Sequence, residues 1–349
     1  MAYPRVGSYE GDIFTVNDPQ SPLVHSNMSP PVVVGRCFPN ISSTLLGELP
    51  KETWWASDLY NWEGFWFASS HLSPVMAARS NFQASNDDVF LTSSIKTGTT
   101  WLKAIIPTIM NPKGRKNDDT DDPLLKHHPN DLMPSLELQL FKDNPNPDLT
   151  AMPSPRLFRS LVPYPLLPES VKNSACKIVY ITRDPKDVFV SMWHFMNSWT
   201  CTIGQGPWKM NEAFESFCRG VHAFGPFHDH VLSYWKESLR RPEKILFLRY
   251  EDLKKDPKVQ LKKLASFLGR PFAKEEEVEK VLWRCSLERL KTLEVNQNGV
   301  DPWLGIPYKL YFRRGIVGDW ENNITEEMKE RLDQVTRMKF EGSGLDFKH

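Results

Sequence analysis

Lys96-Thr97-Gly98-Thr99-Thr100-Trp101-Leu102-Lys103 sets an ammonium, a glycine and a run of hydroxyls between two apolar stretches, Val89-Phe90-Leu91 and Ala104-Ile105-Ile106. That order predicts strand, tight loop, helix. A loop opening a helix gathers backbone N–H groups at the positive end of the helix dipole. With a lysine and hydroxyls beside them, it suits a phosphate or sulfate group. The spacing is not G-x-x-x-x-G-K-[ST], because Lys96 precedes Gly98 instead of following a glycine. The loop reads as an anion cradle of a different kind from the common ATPase one.

Two further segments carry anion-seeking residues. Lys177–Thr182 is an apolar strand that runs into Arg183-Asp184-Pro185-Lys186-Asp187 and then into a helical pattern carrying Ser191. An arginine at the C-terminal end of a strand stands where open α/β sheets bind ligands. Asp184 and Asp187 are its possible ion-pair partners. Far along the chain comes Tyr311-Phe312-Arg313-Arg314-Gly315-Ile316-Val317-Gly318-Asp319-Trp320. Arginine forks suit a terminal phosphate, and a glycine lets the backbone approach it closely. Tyr250 follows the strand pattern 244–249 at a position equivalent to that of Arg183.

Positioning these groups requires a particular set of elements. Strand patterns at 89–91, 177–182 and 244–249 alternate with helical ones at 187–198, at 259–268 and near the C-terminus. The alternation predicts an α/β fold: a single domain with a central parallel sheet flanked by helices on both faces. Val259, Leu261, Leu264, Phe267 and Leu268 share a helical face that Gly269 terminates. Met328, Leu332, Val335 and Met338 repeat at helical spacing as packing residues. Residues 143–168 are rich in proline and read as an extended, irregular segment near the site. Trp54-Trp55, Tyr60, Trp62 and Phe65-Trp66-Phe67 form an aromatic cluster that either packs the core or walls a pocket. Residues 1–48, rich in Pro, Ser, Gly and Asn, are expected to form a loosely ordered extension ahead of a domain at 49–349.

Charge bounds the function. With 43 Lys and Arg against 43 Asp and Glu, a strongly basic nucleic-acid binder is not expected. No apolar run reaches membrane-spanning length, and the first residues lack an apolar signal core. Five cysteines, Cys37, Cys176, Cys201, Cys218 and Cys285, are scattered without metal-ligand spacing, and read as reduced thiols of a cytosolic protein. No metal is expected. The acidic run 117–122 reads as a solvated loop without calcium spacing. Asn27, Asn40 and Asn323 match the glycosylation pattern, and read as chance matches.

Taken together, the Lys96 loop, the Arg183–Ser191 segment and the Arg313-Arg314-Gly315 segment resemble, in order and spacing, the cytosolic sulfotransferase family. The likeness extends over roughly residues 60–345. Tyr60-x-x-Glu63-Gly64-Phe65-Trp66 and Ser191-Met192-Trp193-His194-Phe195 lean toward its plant branch. The resemblance implies sulfuryl transfer from 3′-phosphoadenosine 5′-phosphosulfate (PAPS) to a small hydroxylated acceptor, leaving PAP. It implies that Lys96, Thr97, Gly98, Thr99, Thr100 and Trp101 hold the 5′-phosphosulfate end, with the Trp101 ring against adenine. Arg183, Ser191, Arg313, Arg314 and Gly315 would hold the 3′-phosphate, and Tyr250 would border adenine. Arg314 stands where the family usually has lysine.

One departure concerns the chemistry itself. After Ser154-Pro155-Arg156 the family carries its general base, a histidine, and here Leu161 stands in that place. Leucine cannot accept a proton. His194, one helical turn after Ser191, is the first candidate to replace it; His127 and His128 are others, and an acceptor needing no base is a fourth option. A P-loop kinase and a non-catalytic PAP-binding protein are the alternative functions. The family's C-terminal dimer motif is degraded in Glu321-x-x-x-Thr325-Glu326-x-x-x-Glu330, so a monomer or weak homodimer is expected.

Overall fold

Seven strands form two sheets in the computed structural model, which describes residues 43–55, 57–111 and 122–347. Strands β1 (Lys51–Trp54), β2 (Ser57–Trp62) and β3 (Phe65–Ala68) make a small antiparallel sheet from the aromatic cluster. Strands β4 (Val89–Ser93), β5 (Leu157–Ser160), β6 (Lys177–Thr182) and β7 (Ile245–Arg249) make a parallel sheet in the order β5-β4-β6-β7. The described residues lie within the unit Phe38–His349; the extension expected at 1–48 lies outside them except for its end, where Ser43–Glu48 is helical.

Side-chain alternation along the parallel strands divides the core in two. Phe90, Phe158, Ile178 and Tyr180 enter one cluster, with the Pro185–Thr202 and Phe227–Arg240 helices contributing Phe189 and Tyr234. Val89, Leu91, Val179 and Ile181 enter the other, with Ile105 from the Thr99–Met110 helix and Leu264 from the Pro257–Phe267 helix. Both faces of the sheet are therefore covered, and ligand-binding loops are left to the C-terminal ends of the strands.

Several local expectations need correction. The segment 143–168 contains β5, a buried strand that joins the central sheet beside β4. Its four residues end in Arg159 and Ser160 and lie among prolines, so neither length nor alternation announces it. Val259 is 54 % exposed and Met338 65 %, so neither belongs to its helix's buried face. Asp122, the one described residue of the acidic run, is buried: it accepts from the Leu124 N–H and pairs with Arg289 at 2.6 Å. No described helix is long and apolar enough to cross a membrane.

Candidate active site

The turn from β4 into the Thr99–Met110 helix is built on two left-handed residues. Lys96 has φ 63° and Gly98 φ 107°. The first is uncommon for a side-chain-bearing residue and aims Lys96 into a cavity of about 570 Å³ at the ends of the strands. The second leaves no room for a Cβ, which would stand 2.6 Å from Tyr250 Cδ2. Tyr250 opens the helix after β7 and lies beside the loop, its ring edge-on to Trp101 with centroids 6.1 Å apart. Gly98, Thr99, Thr100 and Trp101 line the cavity with Lys96. Thr97 does not; its hydroxyl is buried and donates to the Ser94 carbonyl, so its side chain fastens the loop. Thr99 Oγ1 lies 2.7 Å from Ser93 Oγ, tying helix to strand.

Lys96 is half-buried, and its ammonium lies 3.7 Å from the centre of the Phe195 ring, with no carboxylate of the described residues in ion-pair range. Burial, then the fields of Arg313 and Arg183, push its pKa down to about 7.

Arg183 leaves β6 and is nearly covered. It pairs with Asp187 at 2.8 Å and donates to the Ile316 carbonyl at 2.6 Å. Its guanidinium lies over the Tyr250 ring at 4.6 Å, and its Nε is buried without a partner. The ion pair expected from sequence is thus present, and Arg183 still lines the cavity. Asp187 also accepts from the N–H groups of Gly318 and Trp320 at 2.9 and 3.1 Å. One carboxylate therefore holds both Arg183 and the 313–320 segment. Within that segment Arg313 and Arg314 converge on buried Asp319 at 2.5 and 2.7 Å. Burial opposes ionisation of Asp319, but hydrogen bonds from both arginines keep its carboxyl below the usual range. Gly315, at φ 65°, lines the same cavity, and a Cβ there would meet Leu287 Cδ2 at 2.5 Å and the Tyr250 hydroxyl at 3.6 Å. Ser191, from the Pro185–Thr202 helix, completes this end.

The residues available for a diphosphorylated nucleoside are therefore gathered on one cavity from the ends of β4, β6 and β7. The orphan Arg183 Nε, the cationic ring of Lys96, Arg183, Arg313 and Arg314, and two glycines that a Cβ would fill together fit phosphate ends of such a donor. Among the described residues, no group of three or more His, Cys, Asp or Glu is placed to hold a metal ion.

The other end of the cavity lies over β5. Leu161 lines the cavity; its N–H donates to Glu137 and its carbonyl accepts from His230 Nε2 at 2.9 Å. His230 is buried and its pKa lowered to about 4 by burial, so it anchors the Leu161 backbone as a neutral ring. His194 lines the cavity and bonds Asn323 Oδ1 through Nε2 at 2.8 Å. Asn323 Nδ2 donates to the Asp319 carbonyl at 2.7 Å, which fixes the amide so that its oxygen faces the ring. That puts the ring proton on Nε2 and leaves Nδ1 to accept. It also commits the Asn323 amide internally, away from any glycan.

The other two histidines lie elsewhere. His127 is exposed and His128 buried, and neither lines the cavity. His128 stacks on Tyr308 with centroids 3.8 Å apart and accepts from the Asn130 N–H. Burial, with Lys103 and Arg159 nearby, lowers its pKa to about 2. It is a packed neutral ring. Among the cavity residues to which the sequence reading gave no role are Lys103, Arg159 and Tyr311. Helical spacing puts Lys103 one turn beyond Thr99, and strand alternation puts Arg159 on the same side as Leu161, so the signal was periodicity around known neighbours. Of the aromatic cluster, Trp54 walls the cavity while Phe65 and Phe67 pack the core.

Comparison with known proteins agrees with this geometry. The sulfotransferase domain family matches residues 86–344. Cytosolic sulfotransferase 7 of Arabidopsis thaliana is 44 % identical over 314 residues, covering 88 % of this chain and 95 % of the relative. Cytosolic sulfotransferase 10 of the same plant is 41 % identical over 313 residues, covering 87 % and 93 %. Among solved structures, an Arabidopsis thaliana putative steroid sulphotransferase superposes with TM-score 0.71 at 35 % identity, covering 88 % of this chain and 95 % of that one. A mouse sulfotransferase complexed with PAP superposes with TM-score 0.62 at 27 % identity, covering 82 % and 95 %. The match spans most of the chain and includes every strand of the parallel sheet, and on it the chain belongs to the sulfotransferase domain family.

Proposed function

We propose that the protein transfers a sulfuryl group from PAPS to a hydroxyl of a small plant metabolite, with His194 in place of the histidine that Leu161 displaces. The observation that carries this reading is one cavity joining a cationic donor end to an apolar acceptor end lined by Leu161, Met192 and Met196. PAP in the mouse relative supports the donor, and the cytosolic plant relatives support a cytosolic setting.

In this reading the 3′-phosphate sits against Arg183, Ser191 and the 313–315 segment. The 5′-phosphate meets the N–H groups that open the Thr99–Met110 helix, and Trp101 and Tyr250 border adenine. The acceptor oxygen bonds to sulfur as the bond from sulfur to the bridging oxygen breaks. Negative charge grows on that oxygen, and the Lys96 ammonium neutralises it; a well-placed donor of this kind contributes roughly 3 kcal/mol. The acceptor proton passes to His194 Nδ1, and Asn323 keeps the ring in the accepting tautomer. A general base contributes about 10²–10⁴-fold, so a displaced one still permits turnover. The working unit is taken as a monomer or weak homodimer.

Leu161 favours a second reading, a protein that binds PAP without turnover. Incubating the purified protein with labelled PAPS and a plant metabolite extract separates the two. Labelled sulfated products support transfer, whereas PAP binding with no product in any extract supports the binder.

A further inference from the structure

His71 lies in the first turn of the Ser69–Asn81 helix, and helical spacing sets it on one face with Val75 and Ala78, which are 1 % and 3 % exposed. That face turns to the core, where an apolar side chain is the ordinary choice. The imidazole instead stacks on Phe224, with ring centroids 5.5 Å apart and planes 20° apart. The stacking platform is fixed to β3: the Phe224 N–H donates to the Trp66 carbonyl at 2.7 Å, and the Trp66 N–H donates to the Gly225 carbonyl at 2.8 Å. His71, Phe224 and Trp54 all line the cavity.

This ring has no use inside the protein. Its Nδ1 is buried without a hydrogen-bond partner, and no described residue bonds the other nitrogen. Burial, then the field of Lys142, lowers its pKa to about 4. At neutral pH it is therefore uncharged, with one nitrogen donating and the other accepting. The indole N–H groups of Trp54 and Trp199, two other lining residues, are also buried and unpaired. Unpaired buried polar atoms are disfavoured, so a ligand group that completes them accounts for the arrangement. A hydroxyl suits it. Whichever tautomer the ring takes, a hydroxyl donates to one nitrogen or accepts from the other, and its remaining capacity suits an indole N–H.

The groups assigned to the reacting hydroxyl come from other elements. Lys96 follows β4, and His194 lies on the Pro185–Thr202 helix, tied to Asn323. We infer that His71 is a specificity-determining residue of the acceptor pocket and selects acceptors that carry a second hydroxyl, apart from the one that reacts. This rests on the sulfotransferase reading and narrows the acceptor of the same site.

The test uses matched pairs of two different spans, naphthalene-2,6-diol against 2-naphthol and 4,4′-dihydroxybiphenyl against 4-hydroxybiphenyl. Each is titrated calorimetrically into the full chain with saturating PAP. At least one diol is expected to bind roughly tenfold more tightly than its one-hydroxyl partner. His71→Phe, which keeps a ring against Phe224, should abolish that preference without weakening the one-hydroxyl compounds. His71→Gln, which keeps a donor and an acceptor, should retain more of the preference than His71→Phe. PAP affinity should stay within about twofold in both variants. Absence of a preference in the wild type, or its survival in His71→Phe, overturns the inference. So does equal weakening of diols and one-hydroxyl compounds by His71→Phe, which would move His71 to the reacting hydroxyl. Loss of PAP binding in both variants also overturns it, leaving His71 a packing role alone. If the wild type fails to bind PAP, the sulfotransferase reading itself fails; if PAP binds and neither diol is preferred, only the second hydroxyl is lost.

Discussion

The Lys96 ammonium rests 3.7 Å from the centre of the Phe195 ring, held by an aromatic face and facing Arg183 and Arg313 across the cavity. Burial and those two guanidinium groups bring its pKa down to about 7 in the free protein. A donor phosphate reverses this balance and raises it. The sign follows: the donor-bound form holds the proton to higher pH than the free form, so binding takes up a proton above pH 7, and affinity falls as pH rises through that range. Calorimetry with PAP at pH 8 in buffers of different ionisation enthalpy should show uptake of a fraction of a proton. Lys96→Met should remove it.

Lys96 and Arg183 should separate catalysis from donor binding. Lys96→Met acts where charge develops and is expected to lower kcat about 100-fold while raising donor KM less than about tenfold. In the proposed reading Arg183→Ala removes a contact to a phosphate that does not react, and should mainly raise donor KM. Steady-state kinetics on both variants checks the split; the reverse pattern would exchange their roles.

Gly98 and Gly315 should not be equally sensitive. A Cβ at Gly98 meets the Tyr250 ring at 2.6 Å with φ at 107°, whereas at Gly315 it meets the flexible end of Leu287 at 2.5 Å. Gly98→Ala is expected to cost roughly 1–3 kcal/mol of stability and to displace Tyr250 from the donor cavity; Gly315→Ala should cost less. Thermal unfolding and PAP titration of the two variants measure the order.

Asp187 offers a test in which field and geometry oppose each other. Removing a negative charge beside a phosphate site should by field alone strengthen PAP binding. Asp187 also holds Arg183 and the N–H groups of Gly318 and Trp320. Asp187→Ala should therefore weaken PAP binding by tenfold or more, because the Arg313-Arg314-Gly315 segment loses its anchor. Tighter binding in the variant would show that the field dominates.

Much of this site is legible in the sequence, for a physical reason. The Lys96 loop, Arg183 and Tyr250 each follow a predominantly apolar strand of the parallel sheet, so a local pattern suffices to place them at one edge. The β5 side of the cavity is less legible. β5 is four residues long with polar residues inside it, and Arg159 comes into view only once that strand is paired with β4. His194 and Asn323 are 129 residues apart and meet through tertiary packing alone. His128 shows the converse: the sequence offered it as a candidate base, and burial against Tyr308 keeps it out of the cavity.

His194 can be tested through its partner. His194→Ala should lower kcat about 100-fold and flatten the limb of the pH–rate profile that reports the base. Asn323→Ala should leave the ring in place but lose the tautomer, with a smaller fall in kcat and little change in acceptor KM. Unchanged kcat and pH profile in His194→Ala would remove it from the mechanism.

The central claim is sulfuryl transfer by a chain in which, as we propose, Leu161 stands at the position of the usual base. Transfer of label from sulfur-labelled PAPS to hydroxylated acceptors by the wild-type protein tests it most directly. The account predicts labelled, sulfated product from the unaltered chain, reduced in His194→Ala and not dependent on Leu161→His. Tight PAP binding with no labelled product from the wild type, and product appearing only in Leu161→His, would contradict it.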